Sequence, residues 1–271
     1  MNIRQKFKEF KRIVVKVGTS TLTYENGKIN LNRLEKLVRV LADLSNQGKD
    51  IVLVTSGAIG VGMSKMNMEK KPDAIGEKQA AAAVGQSELM HMYSKLFSEY
   101  GCIVAQILLT RSVINDQVSR RNIINTLENL FLKKIIPIVN ENDSVSVEEI
   151  EDDTARNIFG DNDTLSIYVA KIIEADILIM LTDIDGFYDC DPRHNDCANF
   201  ISEVNEITAE MEQCAGDNGT QRGTGGMNTK IQAAKVALDM NIAMVIANGE
   251  EPDVVRNILN GEKIGSLFIN R

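Results

Sequence analysis

Short apolar runs alternate along this chain with longer segments in which apolar residues recur every three to four positions. In the first half the runs predict buried strands at 12–18, 50–55, 101–109 and 135–139. The longer segments predict helices at 31–44, at 76–100 with an interruption at Gly85, and at 119–132. Alternating strands and helices predict a parallel sheet with helices on both faces.

The second half continues the same alternation. It predicts strands at 176–181, 242–247 and 266–269, and helices near 165–173, 207–214, 231–238 and 252–259. The chain contains no internal repeat, low-complexity tract or composition shift that would mark a linker. We therefore expect a single α/β domain with two lobes.

Composition and charge exclude several classes of protein. The 271 residues are 44% apolar, which is enough for a large core, and the formal net charge is −8. With so few clustered basic residues, duplex nucleic acid is an unlikely partner. The first twelve residues are too charged for a secretion signal, no apolar run approaches a membrane span, and the four cysteines form no C-x-x-C pair. We expect a cytoplasmic protein with no membrane partner.

A glycine-rich stretch at 223–226 precedes a predicted helix that carries Lys230 in its first turns. Glycines let backbone N–H groups approach a charged ligand, and a helix N-terminus adds further donors and partial positive charge. This pattern predicts a polyphosphate site, most simply for a nucleotide. A flexible loop ahead of an ordinary amphipathic helix would look similar.

Polar and glycine residues follow the C-terminal ends of several predicted strands, where open parallel sheets bind ligands. They are Lys16 before Gly18, Ser56 with Gly57, the run 140–143, and the pair Thr182 and Asp183. A further polar run, 160–164, directly precedes a predicted helix. Turn and capping chemistry alone could explain the Asn and Asp clusters. Neither a G-x-G-x-x-G fingerprint nor a Walker A motif occurs, which disfavours a dinucleotide oxidoreductase.

These parts suit phosphoryl transfer, in which lysines stabilise charge on the transferred group. Both histidines of the chain, His91 and His194, lie outside the polar clusters. A hydroxyl acceptor generally needs a base, whereas a carboxylate is already anionic at neutral pH. The pattern therefore mildly favours a carboxylate acceptor.

Eight motifs in this order resemble the amino acid kinase family, and within it the members that phosphorylate glutamate. They occupy 14–20, 54–59, 82–86, 139–143, 160–163, 181–183 with Gly186, 191–193, and 223–230. The resemblance covers nearly the whole chain. It implies a three-layer αβα sandwich with a largely parallel central sheet, and transfer of phosphate from ATP to the γ-carboxylate of L-glutamate, the first step toward proline.

The resemblance also implies roles for individual residues. Lys16, Asp163 and Lys230 would be catalytic, with Asp163 orienting the two lysines. Ser56, Asp143 and Asn162 would bind glutamate over an N-terminal lobe of about 1–174. ATP would lie over a C-terminal lobe of about 175–271, against Lys16, Thr182, Asp183, Thr224, Gly225, Gly226, Met227, Asn228, Thr229 and Lys230. Mg²⁺ is implied with ATP, although no residue is assigned as a metal ligand, and so are proline as feedback inhibitor and a homodimer or homotetramer.

Two departures from the family pattern and two alternatives stay open at this point. Many members continue into an RNA-binding-like PUA domain, so we expect a kinase-only form. The excursion at 144–159 is longer and more acidic than in the family pattern, and it lies between two clusters that would contact glutamate. A sibling kinase acting on N-acetylglutamate, aspartate, carbamate or a nucleoside monophosphate would keep the lysines and glycine loops. An inactive, proline-sensing regulatory subunit would keep the binding sites, but it would not need all three catalytic residues.

Overall fold

A computed structural model of the chain describes residues 3–24, 26–70, 72–145, 162–190, 192, 197–215 and 226–270. A 3-10 helix at Ile3–Glu9 comes first. The strands within these ranges are β1 Arg12–Val17, β2 Asp50–Val54, β3 Val104–Leu109, β4 Ile136–Glu141, β5 Ile177–Thr182, β6 Phe187–Tyr188, β7 Phe200–Ile201, β8 Glu203–Val204, β9 Ala243–Asn248 and β10 Ser266–Phe268. The helices are α1 Thr19–Leu22, α2 Leu31–Asn46, α3 Ala58–Lys65, α4 Ile75–Glu99, α5 Arg111–Asn115, α6 Gln117–Leu132, α7 Asn162–Ile172, α8 Ala209–Ala215, α9 Met227–Asp239 and α10 Val254–Leu259.

One eight-stranded sheet runs through the described chain in the order β3-β4-β2-β1-β5-β9-β10-β8. All neighbours pair in parallel except β9 and β10, which are antiparallel. The predicted, largely parallel sheet is confirmed. The strands of the first half lie together on one side of β1, and those of the second half lie on the other, so the C-terminal ends of β2, β1 and β5 meet at the middle of one edge.

The central strands are buried on both faces because helices cover each side of the sheet. In β1, Ile13 and Val15 belong to one apolar cluster, whereas the intervening Val14 belongs to the other. Successive side chains of a strand point to opposite faces, so a strand covered on both faces reads as one continuous apolar run. This explains why the sequence pattern located the strands well.

Helix α4 differs from its prediction because Gly85 does not interrupt it. The helix is continuous over Ile75–Glu99. A Cβ atom at Gly85 would overlap the carbonyl oxygen of Ala58 and the backbone nitrogen of Gly62, both in α3. Gly85 therefore lets the backbones of two helices touch, which is a packing role and not a break.

Two further details differ from the sequence prediction. Asn140, predicted to follow its strand, is a residue of β4 itself, and its side chain is buried. Residues after Gly57 form the helix α3 immediately, and Gly57 has a φ of 95°, a left-handed conformation that glycine adopts without strain. The carbonyl of Gly57 accepts a hydrogen bond from Val61 N, which begins the helix directly at the end of β2.

Candidate active site

Asp163 lies between two lysines that come from distant parts of the chain. Its Oδ1 is 2.5 Å from Nζ of Lys16, and its Oδ2 is 2.9 Å from Nζ of Lys230. Lys16 is the next-to-last residue of β1, Asp163 is the second residue of α7, and Lys230 is the fourth residue of α9. We call these three residues the lysine–aspartate triad.

The triad is almost completely removed from water. The relative exposure is 5% for Lys16, 0% for Asp163 and 6% for Lys230. Burial by itself raises the pKa of Asp163, but the charges of Lys16 and Lys230 and their hydrogen bonds outweigh it, so the pKa of Asp163 falls well below its ordinary value. The carboxylate therefore stays ionised and holds both lysine side chains in place.

Two lysines and one carboxylate leave one net positive charge at this point of the sheet edge. Buried ion groups interact more strongly with a ligand than exposed ones do, because water screens them less. Asp163 also lies in the first turn of α7, where the helix N-terminus favours a negative side chain. The triad thus presents a preorganised cation to an anion that reaches the edge of the sheet.

Thr229 joins the triad through its hydroxyl group. Its Oγ1 lies 2.9 Å from Asp163 Oδ2 and also 2.9 Å from the carbonyl oxygen of Gly226. Lys230 Nζ donates to the same Gly226 carbonyl at 3.3 Å. Thr229, which the sequence associated with the nucleotide, therefore contacts the carboxylate that holds both lysines. No motif in the sequence signals this contact, because 66 positions separate the two residues.

A second set of residues lies where β2 and β4 end, beside the triad strand β1. We call the residues 55–57 and 140–143 the acceptor edge. Val54 pairs with Val139 in parallel register, and Thr55 N donates to Val139 O at 2.9 Å. Ser56 is buried to 8% exposure, directly ahead of the N–H groups that begin α3. Asp143 is half-buried, two residues after β4 ends.

Asn162 is the first residue of α7 and directly precedes Asp163. Its Oδ1 is buried and accepts no hydrogen bond within the described part of the chain. A buried oxygen of this kind favours a donor ligand, such as the ammonium group of an amino acid. The structure thus places one predicted substrate residue directly next to the triad.

Most of the predicted nucleotide-binding residues lie within the described part of the chain. Thr182 ends β5, its Oγ1 donates to Asp183 Oδ1 at 3.0 Å, and Asp183 is exposed. Gly226 is the N-cap of α9, and Met227 and Asn228 form its first turn with Asn228 exposed. Thr224 and Gly225 lie outside the described residues. Most of the acidic excursion, 146–159, does so too.

Lys16 near the end of β1 and Lys230 near the start of α9 place two cations at the sheet edge where open parallel sheets bind ligands, an arrangement that suits phosphoryl transfer. The model of the amino acid kinase family matches residues 11–248. The chain belongs to the amino acid kinase family.

Curated relatives define its place within that family. The chain is 57% identical over 269 residues to a glutamate 5-kinase of Clostridium perfringens, covering 98% of each chain. It is 54% identical over 269 residues to a glutamate 5-kinase of Listeria monocytogenes, covering 99% of this chain and 96% of that one. A glutamate 5-kinase of a Thermoanaerobacter species is longer: the match is 54% identical and covers 95% of this chain but 68% of the relative.

Solved structures support the fold alone. A UMP kinase from Bacillus anthracis superposes with a TM-score of 0.62 at 18% identity, covering 96% of each chain. An isopentenyl phosphate kinase from T. acidophilum superposes with a TM-score of 0.63 at 14% identity, covering 95% of this chain and 99% of that one. The amino acid kinase fold predicted from the sequence is thereby confirmed.

Proposed function

We infer that this chain transfers the γ-phosphoryl group of ATP to the γ-carboxylate of L-glutamate, the first step of proline biosynthesis. The observation that carries the inference is Asp163 buried between Lys16 and Lys230, in a chain 57% identical to a glutamate 5-kinase. We assign the catalytic roles to these three residues. Ser56, Asp143 and Asn162 are the proposed glutamate ligands.

The charge of the triad suits this reaction. An ordinary glutamate carboxyl group has a pKa of about 4.3, so at neutral pH the acceptor is already a nucleophile and needs no base. During transfer, negative charge spreads over the oxygens of the transferred group and the bridging oxygen. Lys16, at the end of β1, and Lys230, on α9, approach this charge from two sides, while Asp163 keeps their ammonium groups in place.

We propose that the nucleotide binds against the end of β5 and the start of α9. This placement is supported by the pair Thr182 and Asp183 and by the helix N-terminus at Gly226. We propose as further contacts Thr224, Gly225, Met227 and Asn228. Among the described residues, no group of three His, Cys, Asp or Glu side chains could hold a metal ion. We propose that Mg²⁺ binds together with the nucleotide phosphates.

Acyl phosphate trapping tests the reaction directly. The full chain would be incubated with ATP, Mg²⁺ and hydroxylamine, and with L-glutamate, N-acetylglutamate or L-aspartate in parallel. Hydroxamate from glutamate and not from the other two acids is the expected result. Product from another acid would identify a sibling kinase. Product from none, with proline or ATP still bound, would indicate a regulatory subunit.

Feedback inhibition by proline, a homo-oligomeric state and a cytoplasmic location are further proposals that rest on the glutamate kinase assignment. Within the described part of the chain, no helix is long and apolar enough to cross a membrane. Light scattering in solution would give the oligomer size, and adding proline to the trapping assay would test inhibition.

We also propose that the chain divides into an N-terminal lobe, about 1–174, that binds glutamate and a C-terminal lobe, about 175–271, that binds ATP.

A further inference from the structure

Helix α4 contacts the acceptor edge at Asn140 through the side chain of Gln86. Asn140 Nδ2 donates to Gln86 Oε1 at 2.8 Å, and both side chains are buried. Asn140 Oδ1 in turn accepts from the backbone N–H of Glu141 at 2.9 Å. Because both ends of the Asn140 amide are held, the turn that leads from β4 to Asp143 starts in one fixed orientation.

The same helix contacts the other half of the acceptor edge through Tyr93. The hydroxyl group of Tyr93 lies 2.9 Å from Oγ1 of Thr55, and both residues are fully buried. Burial raises the pKa of Tyr93 above its ordinary value, although the hydrogen bond with Thr55 lowers it in part, so the hydroxyl stays neutral. Thr55 directly precedes Ser56, a proposed glutamate ligand.

Gln86 and Tyr93 are seven residues apart, which is about two turns of helix, so they lie on the same face of α4. Their partners lie on neighbouring strands. Val54 pairs with Val139 in parallel register, so the next residues, Thr55 and Asn140, are adjacent. One helix face thus holds two adjacent strand ends, and each of these ends leads to a proposed glutamate ligand.

Close contact with α3 determines where α4 lies. Gly62 of α3 faces the carbonyl of Ala81, and Gly85 of α4 faces the carbonyl of Ala58, with no room for a Cβ atom at either glycine. Backbones in direct contact cannot slide without a clash. Gln86 directly follows Gly85, so this contact also fixes the distance from Gln86 to the strand ends.

The other end of the Gln86 amide group is buried as well. Its Nε2 is buried and donates no hydrogen bond within the described part of the chain. An unpaired buried N–H group is unfavourable, and an apolar side chain at this position would avoid it. A residue that served packing alone would need no amide group at this buried position, so the hydrogen bond that places Asn140 is the better explanation.

We propose that α4 positions the glutamate-binding residues, with Gln86 holding the turn to Asp143 through Asn140 and Tyr93 holding Ser56 through Thr55. The proposal rests on the glutamate kinase function inferred above. Gln86 and Tyr93 are positioning residues that act through the strand ends. Their loss should weaken the site for the acceptor and spare the site for the nucleotide, which lies on the far side of β1.

The test compares four variants of the full chain by steady-state kinetics, varying glutamate at saturating ATP and ATP at saturating glutamate. Gln86→Leu removes the bond to Asn140, whereas Gln86→Glu keeps an oxygen for Asn140 Nδ2. Tyr93→Phe removes only the hydroxyl group. Phe97→Leu is the matched control, because this buried residue lies one turn beyond Tyr93 and is not hydrogen-bonded to either strand end.

We expect Gln86→Leu to raise the KM for glutamate by about tenfold, since a lost hydrogen bond is worth about that factor, and Tyr93→Phe to raise it several-fold. Gln86→Glu should restore most of the loss, and the KM for ATP should change by less than about twofold throughout. Equal changes in the KM for glutamate and the KM for ATP, or a similar rise in the KM for glutamate in Phe97→Leu, would contradict the proposal and show that α4 contributes only packing. If the Gln86→Leu variant does not fold, the comparison of KM values between the Tyr93→Phe and Phe97→Leu variants tests the proposal by itself. Turnover of glutamate by the unaltered chain tests the function itself, independently of the variants.

Discussion

The hydroxyl group of Thr229 lies 2.9 Å from Oδ2 of Asp163, the same carboxylate oxygen that Lys230 contacts. Thr229 is in the first turn of α9 and Asp163 is in the first turn of α7, so the contact joins the two helices that bring the triad together. We propose that Thr229 orients Asp163, and the nucleotide contact expected from the sequence stays a separate prediction.

Thr229→Val should therefore lower kcat and leave nucleotide affinity unchanged. A hydrogen bond to a charged group contributes about 1.5–3 kcal/mol, which corresponds to a fall in kcat of about 10- to 100-fold. ADP binding, measured by calorimetry without glutamate, should match that of the unaltered chain. Thr229→Ser keeps the hydroxyl and is the control. If ADP binding weakens as much as kcat falls, the nucleotide role is the correct one.

Lys230→Ala should reduce turnover by a factor of about 100 or more and leave the chain folded. Removing one charge contact made to the transition state raises the barrier by about 3 kcal/mol. Lys235→Ala is a matched control on the same helix, because Lys235 is exposed and pairs only with Glu212 among the described residues. Hydroxamate formation and melting temperature would be measured for both. Near-normal turnover of Lys230→Ala would contradict the catalytic assignment.

Asp163→Asn should destabilise the chain at neutral pH by about 3–5 kcal/mol, since it leaves two buried lysines without their counter-ion. The pKa of Asp163 is depressed in the folded chain, so its contribution is fully present above the unfolded value of about 3.9 and declines as the pH falls below it. The gap in melting temperature between the unaltered chain and the variant should narrow from pH 6 to pH 3. A gap that is constant over this range would show that the ionised carboxylate does not stabilise the fold.

Gly85→Ala should be strongly destabilising even though alanine is the better helix former. Its methyl group would overlap the Ala58 carbonyl, and such overpacking costs about 1–3 kcal/mol or more. Gly76→Ala is the control, because this glycine of the same helix has nothing within 4 Å of a Cβ atom. It should be neutral or stabilising by up to about 1 kcal/mol. Chemical denaturation would measure both, and equal effects would rule out the close contact of α3 and α4.

Much of the fold was predictable because its strands and helices are defined locally. Buried strands such as β5 and β9 are almost entirely apolar runs, which the sequence pattern shows directly. Gly85 was misjudged, because helix propensity describes an isolated segment and cannot include a neighbouring backbone. The short strands β6, β7 and β8 have two residues each, too few for any period to show.

The residues that we propose for phosphoryl transfer could be named from the sequence, because Lys16, Asp163 and Lys230 lie in motifs that resemble the family and near the ends of predicted strands or helices. Only the tertiary structure decided which atoms meet: both lysines on one carboxylate, Thr229 on the same oxygen, and Gln86 and Tyr93 beneath the acceptor edge. Sequence patterns record spacing along one element. Contacts between residues far apart in the chain depend instead on the order of the strands and on how closely helices such as α3 and α4 approach.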